Sequence, residues 1–462
     1  MESFWGSDVW GTINLTAILL LSLLSANALK KAIKFLKVSL IPTSVLGGIM
    51  LLAFAGIYDL ITGDVMFETN FFGGKGYQTL EIFTYHSLAL GFIASTFKAS
   101  KGKLTKQRTV EIFNTGVTTV ATYLIQAIVG FGITWIATLL MKDFFVAAGI
   151  LLPFGYGQGT GQALNYGTIY ETQFGFEGGK SFGLTIAALG FLSASFGGVI
   201  HLNILAKKKK IKLNIDGENK GLEENVESEN EIPMQGSMDK MTIQLAFVIV
   251  AYLLAYLLMF LLGKLVPGMK AVIYGFNFLL GVLSATLVKV VVNFFRKTGI
   301  MKKGYINDFL MTRVSNFFFD IMVVAGIAAI RLGLLQSYWG IMIILGVVGL
   351  IITYAYNLLV ARTLFKDYSE EQFLMMYGML TGTASTGTIL LREIDGEFKT
   401  PAADNMVYQN FPAIVFGFPM MLLATLAPVK PILTMLLLIP FFIVLNIILF
   451  RSKIFKRKTK KK

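Results

Sequence analysis

Long apolar runs alternate with short polar stretches along the whole chain. Runs such as "VSLIPTSVLGGIMLLAFAGIY" (38–58) and "MTIQLAFVIVAYLLAYLLMFLL" (241–262) carry no charge. About 20 such residues suffice for a helix to cross a bilayer. The pattern predicts eleven spanning helices, at 11–29, 38–58, 80–97, 109–140, 181–205, 241–263, 271–295, 308–330, 340–361, 404–428 and 431–450. Two further apolar segments, 144–170 and 372–391, are interrupted by glycine, amide and hydroxyl residues, and the first contains "PFGYGQGTGQALNYG" (153–167). The short alternating strands of a β-barrel are absent from the sequence. The expected class is an all-α polytopic membrane protein. Composition agrees: 15% of the 462 residues are charged, against about 25% in a soluble domain.

Charge placement turns this list into a topology. With the N-terminus outside, the inside segments 30–37, 98–108, 206–240, 296–307, 362–403 and 451–462 hold 32 of the 41 Lys and Arg. That is the positive-inside distribution. If 144–170 and 372–391 both crossed the membrane, thirteen basic residues, including "KKKK" at 207–210, would move to the outside. Both segments are therefore expected to enter and leave on one side, as re-entrant pore loops, the first from outside and the second from inside. Each half then has five spans, and the odd number inverts the second half. The expected organisation is an N-terminal repeat (1–205), a flexible cytoplasmic linker (206–240), an inverted C-terminal repeat (241–428), and an extra helix with a basic cytoplasmic tail (429–462). The linker mixes seven basic with eight acidic residues and has little apolar content, the composition of a segment without a core of its own. The tail "RSKIFKRKTKKK" reads as a contact with anionic lipid, not with nucleic acid. The acidic start "MESFWGSD" argues against a cleaved signal peptide. With no cysteine, disulfides and thiolate metal sites are excluded.

A shift of 223 positions lays "GYGQGTGQA" on "GMLTGTAST", with Gly155 on Gly378, Gly159 on Gly382 and Thr160 on Thr383. Non-helical backbone at membrane depth must be buried in protein or line a wet cavity. There, glycine permits conformations that other residues disfavour. Exposed carbonyls and hydroxyls near Gly159, Thr160, Gly382 and Thr383 would offer hard oxygen ligands to a small cation. Half-helix N-termini would offer partial positive charge to an anion. Paired broken elements in inverted repeats are a construction found in secondary transporters. The first segment places Gly157, Gln158, Gly159, Thr160, Gly161, Gln162 and Asn165 at the candidate site. The second places Gly382, Thr383, Ala384, Ser385, Thr386, Gly387 and Thr388 there. Plain small-xxx-small helix packing would explain the glycines but not the amides and hydroxyls. A phosphate loop would need a Lys-Ser/Thr pair after its glycines.

The loops "FGYGQGTGQA" and "GMLTGTASTGT", with "SFGLTIAALGFLSASFGG" after the first, resemble the bacterial sodium/glutamate symporter family over about residues 10–430. The resemblance implies two inverted five-helix repeats, each with a re-entrant loop, in the bacterial inner membrane. It also implies Na+ as coupling ion, L-glutamate as substrate, no organic cofactor, a homodimer, and alternating access by an elevator-type movement. Three features depart from the family pattern: Tyr156 between Gly155 and Gly157, the long charged linker, and the helix at 431–450.

Four more residues are candidates. His86 and Asp320 are ionisable groups within spans, which are functional candidates as a class, for an ion or proton site facing the loops. The alternative is hydrogen bonding in the bundle, or an Asp320–Arg313 pair. Arg392 follows the second loop and has the fork that suits a carboxylate, unless it snorkels to the interface or pairs with Asp395. Asn410 precedes Pro412 and either lines the cavity or bonds between helices. Two histidines without spaced partner ligands do not make a zinc site. No nucleophile motif, catalytic carboxylate pair or ATP-binding motif appears, so an enzyme is not expected. The readings left are a carrier of glutamate, another amino acid or a dicarboxylate driven by Na+ or H+, and behind these a passive channel, since re-entrant loops also build filters.

Overall fold

A computed structural model describes residues 4–98, 105–142, 144–209, 238–396 and 398–454. Among these the secondary structure is helical, without strands. The principal helices are α1 (Ser7–Ala32), α2 (Thr43–Thr62), α3 (Gly76–Phe97), α4 (Lys106–Leu140), α5 (Leu151–Phe174), α6 (Gly179–Lys209), α7 (Lys240–Leu265), α8 (Asn277–Lys297), α9 (Asp308–Ala328), α10 (Trp339–Leu364), α11 (Ser369–Thr381), α12 (Ala384–Arg392), α13 (Ala402–Tyr408), α14 (Asn410–Leu426) and α15 (Pro431–Leu449).

Nine of the described helices (α1, α2, α4, α6, α7, α8, α9, α10 and α15) are long and apolar enough to cross a membrane. The chain is a multi-pass all-α membrane protein. Two of the eleven expected spans differ. The span expected at 80–97 forms as α3 but is not among the nine; Gln78, Glu81, Thr84, Tyr85, His86 and Ser87 dilute its apolar surface. The span expected at 404–428 is a pair of helices, Ala402–Tyr408 and Pro412–Leu426, bent by 56°. Pro412 cannot donate a backbone hydrogen bond, which favours a break near it. Helices α7 and α15 expose apolar side chains along their length, among them Ile249, Leu253, Leu257, Leu436 and Ile443, as lipid contact requires. The central linker falls outside the described residues apart from its ends. There α6 continues to Lys209, and Asp239 Oδ1 caps α7 by accepting from Met241 N (2.9 Å) and Thr242 N (3.1 Å). The tail beyond residue 454 also lies outside them.

The helices sort into two compact units. One contains α1 as far as Ala28, α2, α3, α7, α8 and α9; the other contains α4, α5, α6 and α10 to α15. Each unit therefore draws on both halves of the sequence. The first has its own apolar core, in which Leu90, Ile93 and Phe97 of α3 meet Val248 and Ala251 of α7 and Met311 and Val314 of α9. In the second, Leu202 of α6, Ala361 of α10, Phe373 and Tyr377 of α11 and Leu390 of α12 form a common core.

Candidate functional site

Both glycine-rich segments fold into the second unit, and each is a helix interrupted once. The stretch 153–167, expected as a loop, is helical on both sides of a single residue. Gly159 has φ +73° and ψ −169°, a region essentially reserved for glycine. Confining the break to one residue leaves most backbone groups hydrogen-bonded within helix, as apolar surroundings demand. The second break lies between α11 and α12, at Gly382 and Thr383. Thr383 caps α12: its Oγ1 accepts from Thr386 N at 3.5 Å, while Thr386 Oγ1 accepts from Thr383 N at 3.4 Å. This is the reciprocal capping box.

Residues 37 positions apart and more tie the two breaks to α6. Tyr156, three residues before Gly159, pairs its hydroxyl with Ser193 Oγ at 2.9 Å and donates to Gly346 O at 2.6 Å. Tyr377, five residues before Gly382, donates to Ser193 O at 2.7 Å. Both tyrosines are fully buried. Tyr123 of α4 donates to Gly157 O at 3.1 Å. At the start of α11, Glu370 binds His201 Nε2 of α6 (2.9 Å) and Arg362 of α10 (3.3 Å). Tyr156→Phe is expected to cost about 1–3 kcal/mol, because a buried acceptor loses its donor. A lower melting temperature of the purified protein, with unchanged membrane insertion, is the result to look for.

At the first break Gly157, Gly159, Thr160, Gly161, Gln162 and Asn165 are all buried and Gln158 is half-buried. Asn165 Nδ2 donates to Gln162 Oε1 at 3.2 Å. Gln162 Nε2 has no hydrogen-bond partner among the described residues, although the residue is only 1% exposed. A buried, unpaired donor beside the N-terminus of a half-helix suits an anionic oxygen. At the second break Thr386 and Gly387 are buried, whereas Thr383, Ala384, Ser385 and Thr388 are half-buried.

The other sequence candidates are Arg392, His86, Asp320 and Asn410. Arg392 is at the far end of α12, about 13 Å from Thr383 at the helical rise per residue. It is exposed, with its guanidinium 5.3 Å from the centre of the Phe398 ring. Asp395, the alternative partner, instead accepts from Lys399 N and Thr400 N at 2.8 and 2.9 Å. His86 and Asp320 belong to the other unit. There His86 Nδ1 lies 2.6 Å from the Tyr252 hydroxyl, and Asp320 is exposed on α9. Asn410, half-buried at the start of α14, receives a 3.4 Å contact from Gln409 Nε2.

Compared with known proteins, the chain matches no family model and no curated protein. The geometry also brings in residues that the sequence reading passed over. Gln126 of α4 donates from Nε2 to Thr353 Oγ1 of α10 at 2.8 Å and to Leu380 O, at the end of α11, at 3.0 Å. The available signal was an amide in the middle of a span, "ATYLIQAIVG". Among the described residues no group of three or more His, Cys, Asp or Glu could hold a metal ion.

Proposed function

We propose that the protein is a secondary active carrier that couples Na+ to uptake of L-glutamate, as the sequence resemblance to the bacterial sodium/glutamate symporter family implies. The observation that carries this reading is the pairing of two helices broken at glycine. Gly159 and Gly382 are 223 residues apart in sequence, lie in one unit, and are both tied to Ser193 through Tyr156 and Tyr377. Broken helices expose both kinds of helix end. Their N-terminal N–H groups suit a carboxylate, and their C-terminal carbonyls suit a cation. In this reading the half-helix after Gly159, with Gln162 Nε2, and the capped start of α12 bind the substrate's carboxylates. Oxygens near Gly159, Thr160, Gly382 and Thr383 serve the ion.

Two inverted repeats are part of the proposal. In chain order α1, α2 and α3 correspond to α7, α8 and α9. Likewise α4, α5 and α6 correspond to α10, to α11 with α12, and to α13 with α14. The first three of each half share one unit and the remainder share the other. That division by rank supports a duplicated architecture. The broken helices would be re-entrant, the unit that carries them would be the moving part, and the protein would act as a homodimer in the bacterial inner membrane, with its N-terminus outside and linker and C-terminus in the cytoplasm.

The test is uptake of labelled L-glutamate into proteoliposomes under an inward Na+ gradient, with K+ as control. Sodium-dependent, saturable accumulation is expected. Accumulation driven equally by a proton gradient without Na+ would replace the coupling ion and turn attention to His86 and Asp320. Current without saturable uptake would make the protein a channel.

A further inference from the structure

The surroundings of Gln126 hold oxygens that no described residue satisfies. Its amide nitrogen is committed to Thr353 Oγ1 and Leu380 O, which fixes the orientation of the amide. Its Oε1 is buried and has no hydrogen-bond partner. Asn357, one turn farther along α10, donates from Nδ2 to Thr353 O at 2.9 Å, and its Oδ1 is likewise buried without a partner. Both residues are 0% exposed. Two amide side chains thus converge on Thr353, and each leaves an acceptor unmatched.

Helix α11 ends at this place. Its last four carbonyls, from Gly378 to Thr381, lack amide partners within the helix and form the negative end of its dipole. The unmatched groups around Thr353 accept hydrogen bonds and do not donate them, so the local field favours a cation. Neutral amide and carbonyl oxygens are hard ligands without a formal charge, which suits a single positive charge. A polar stripe leads to them. Glu111, Thr115, Thr118, Thr119 and Thr122 share α4 with Gln126. Near its start Arg108 and Glu111 line an open cavity of about 400 Å³ with Tyr368 and Lys399. Beside the stripe, Gln372 Nε2 donates to Thr115 Oγ1 at 3.2 Å, and Asn405 Nδ2 donates to Gln372 Oε1 at 3.1 Å. Asn405 Oδ1 and Gln409 Oε1 are two more buried oxygens without partners.

We propose that Gln126 Oε1 and Asn357 Oδ1 are ligands of a desolvated monovalent cation held between α4 and α10, beside the terminal carbonyls of α11 and reached along the polar stripe of α4. The site rests on the carrier reading for the identity of its ion, Na+. It links that ion to the second break, because the Gln126 amide that offers one ligand also holds Leu380 O.

The test reads binding without transport. Purified full-length protein in detergent is melted across a range of NaCl, with choline chloride as control. The melting temperature is expected to rise saturably with Na+ alone, as preferential binding to the folded state requires. Asn357→Leu removes one unmatched oxygen and one bond within its own helix. It is expected to weaken Na+ by on the order of tenfold or more, the loss that changes around metal sites cause, while melting in choline chloride stays at or above the wild-type value. Asn357→Asp keeps an oxygen and adds charge, so it is expected to bind Na+ more tightly, and it serves if the leucine variant does not fold. A wild-type protein indifferent to Na+, or folded variants with unchanged Na+ dependence, would overturn the site; buried water would then satisfy the oxygens. Na+ binding lost in Asn357→Leu without glutamate uptake by the wild type would keep the site and reject the substrate. Sodium-driven uptake with unchanged Na+ dependence in the variants would do the reverse.

Discussion

Replacing Gly159 with alanine is expected to abolish uptake while leaving a folded, membrane-inserted protein. The backbone of Gly159, with φ +73° and ψ −169°, lies where a Cβ collides with its own main chain, at a cost of about 1–3 kcal/mol. That corresponds to roughly a 5- to 150-fold shift in population. Alanine also has the highest intrinsic preference for helix, so the relaxed alternative joins the two halves of α5 into one unbroken helix. The N–H and C=O groups released at the break would then bond to each other, and their chemistry would disappear. Surface expression and gel-filtration behaviour should match the wild type, with transport lost. Normal uptake by Gly159→Ala would remove the break from the mechanism.

The largest effect on stability is expected at Gly149, before α5. A Cβ there would overlap Gly130 O and Gly130 C of α4, and a Cβ on Gly130 would in turn overlap Gly149 O. The approach is pinned by Thr134 Oγ1, which donates to Val146 O at 2.7 Å and accepts from Gly149 N at 3.1 Å. Overpacking a core costs about 1–3 kcal/mol when side chains can adjust. Here backbone meets backbone, and no rotamer change relieves the overlap, so Gly149→Ala should lie at or above the top of that range. A sharply lower melting temperature or loss of monodisperse protein is the expected result. Gly132→Ala is the matched control. Gly132 lies on α4, two residues after Gly130, and a Cβ there meets nothing within 4 Å, so that variant should be neutral or slightly more stable through helix propensity. Equal melting of the two variants would mean that the close approach of α4 to this turn does not exist.

The candidate site was legible in part. Glycine clusters in apolar surroundings marked both breaks, because helix interruption is a local property of glycine and its neighbours. The sequence did not distinguish a loop from a one-residue break, since many conformations suit "GYGQGTG" and only packing chooses among them. A polar residue within a span also marked Gln126, whereas attention to ionisable groups singled out His86 and Asp320, which belong to the other unit. The same preference singled out Arg392, which stacks on Phe398 at the exposed end of α12.

By itself, the sequence determined that this chain crosses a membrane many times as helices, because the free energy of transferring a segment into lipid is a sum over its own residues. It also located the two interruptions, whose residues adjoin one another. Tertiary structure alone decided which helices share a unit and which polar atoms are left unmatched. Gln126 meets Thr353 and Leu380 across separations of 227 and 254 residues. A buried amide binds whatever donor or acceptor the fold places within about 3 Å, and that neighbour is fixed by packing, not by sequence position.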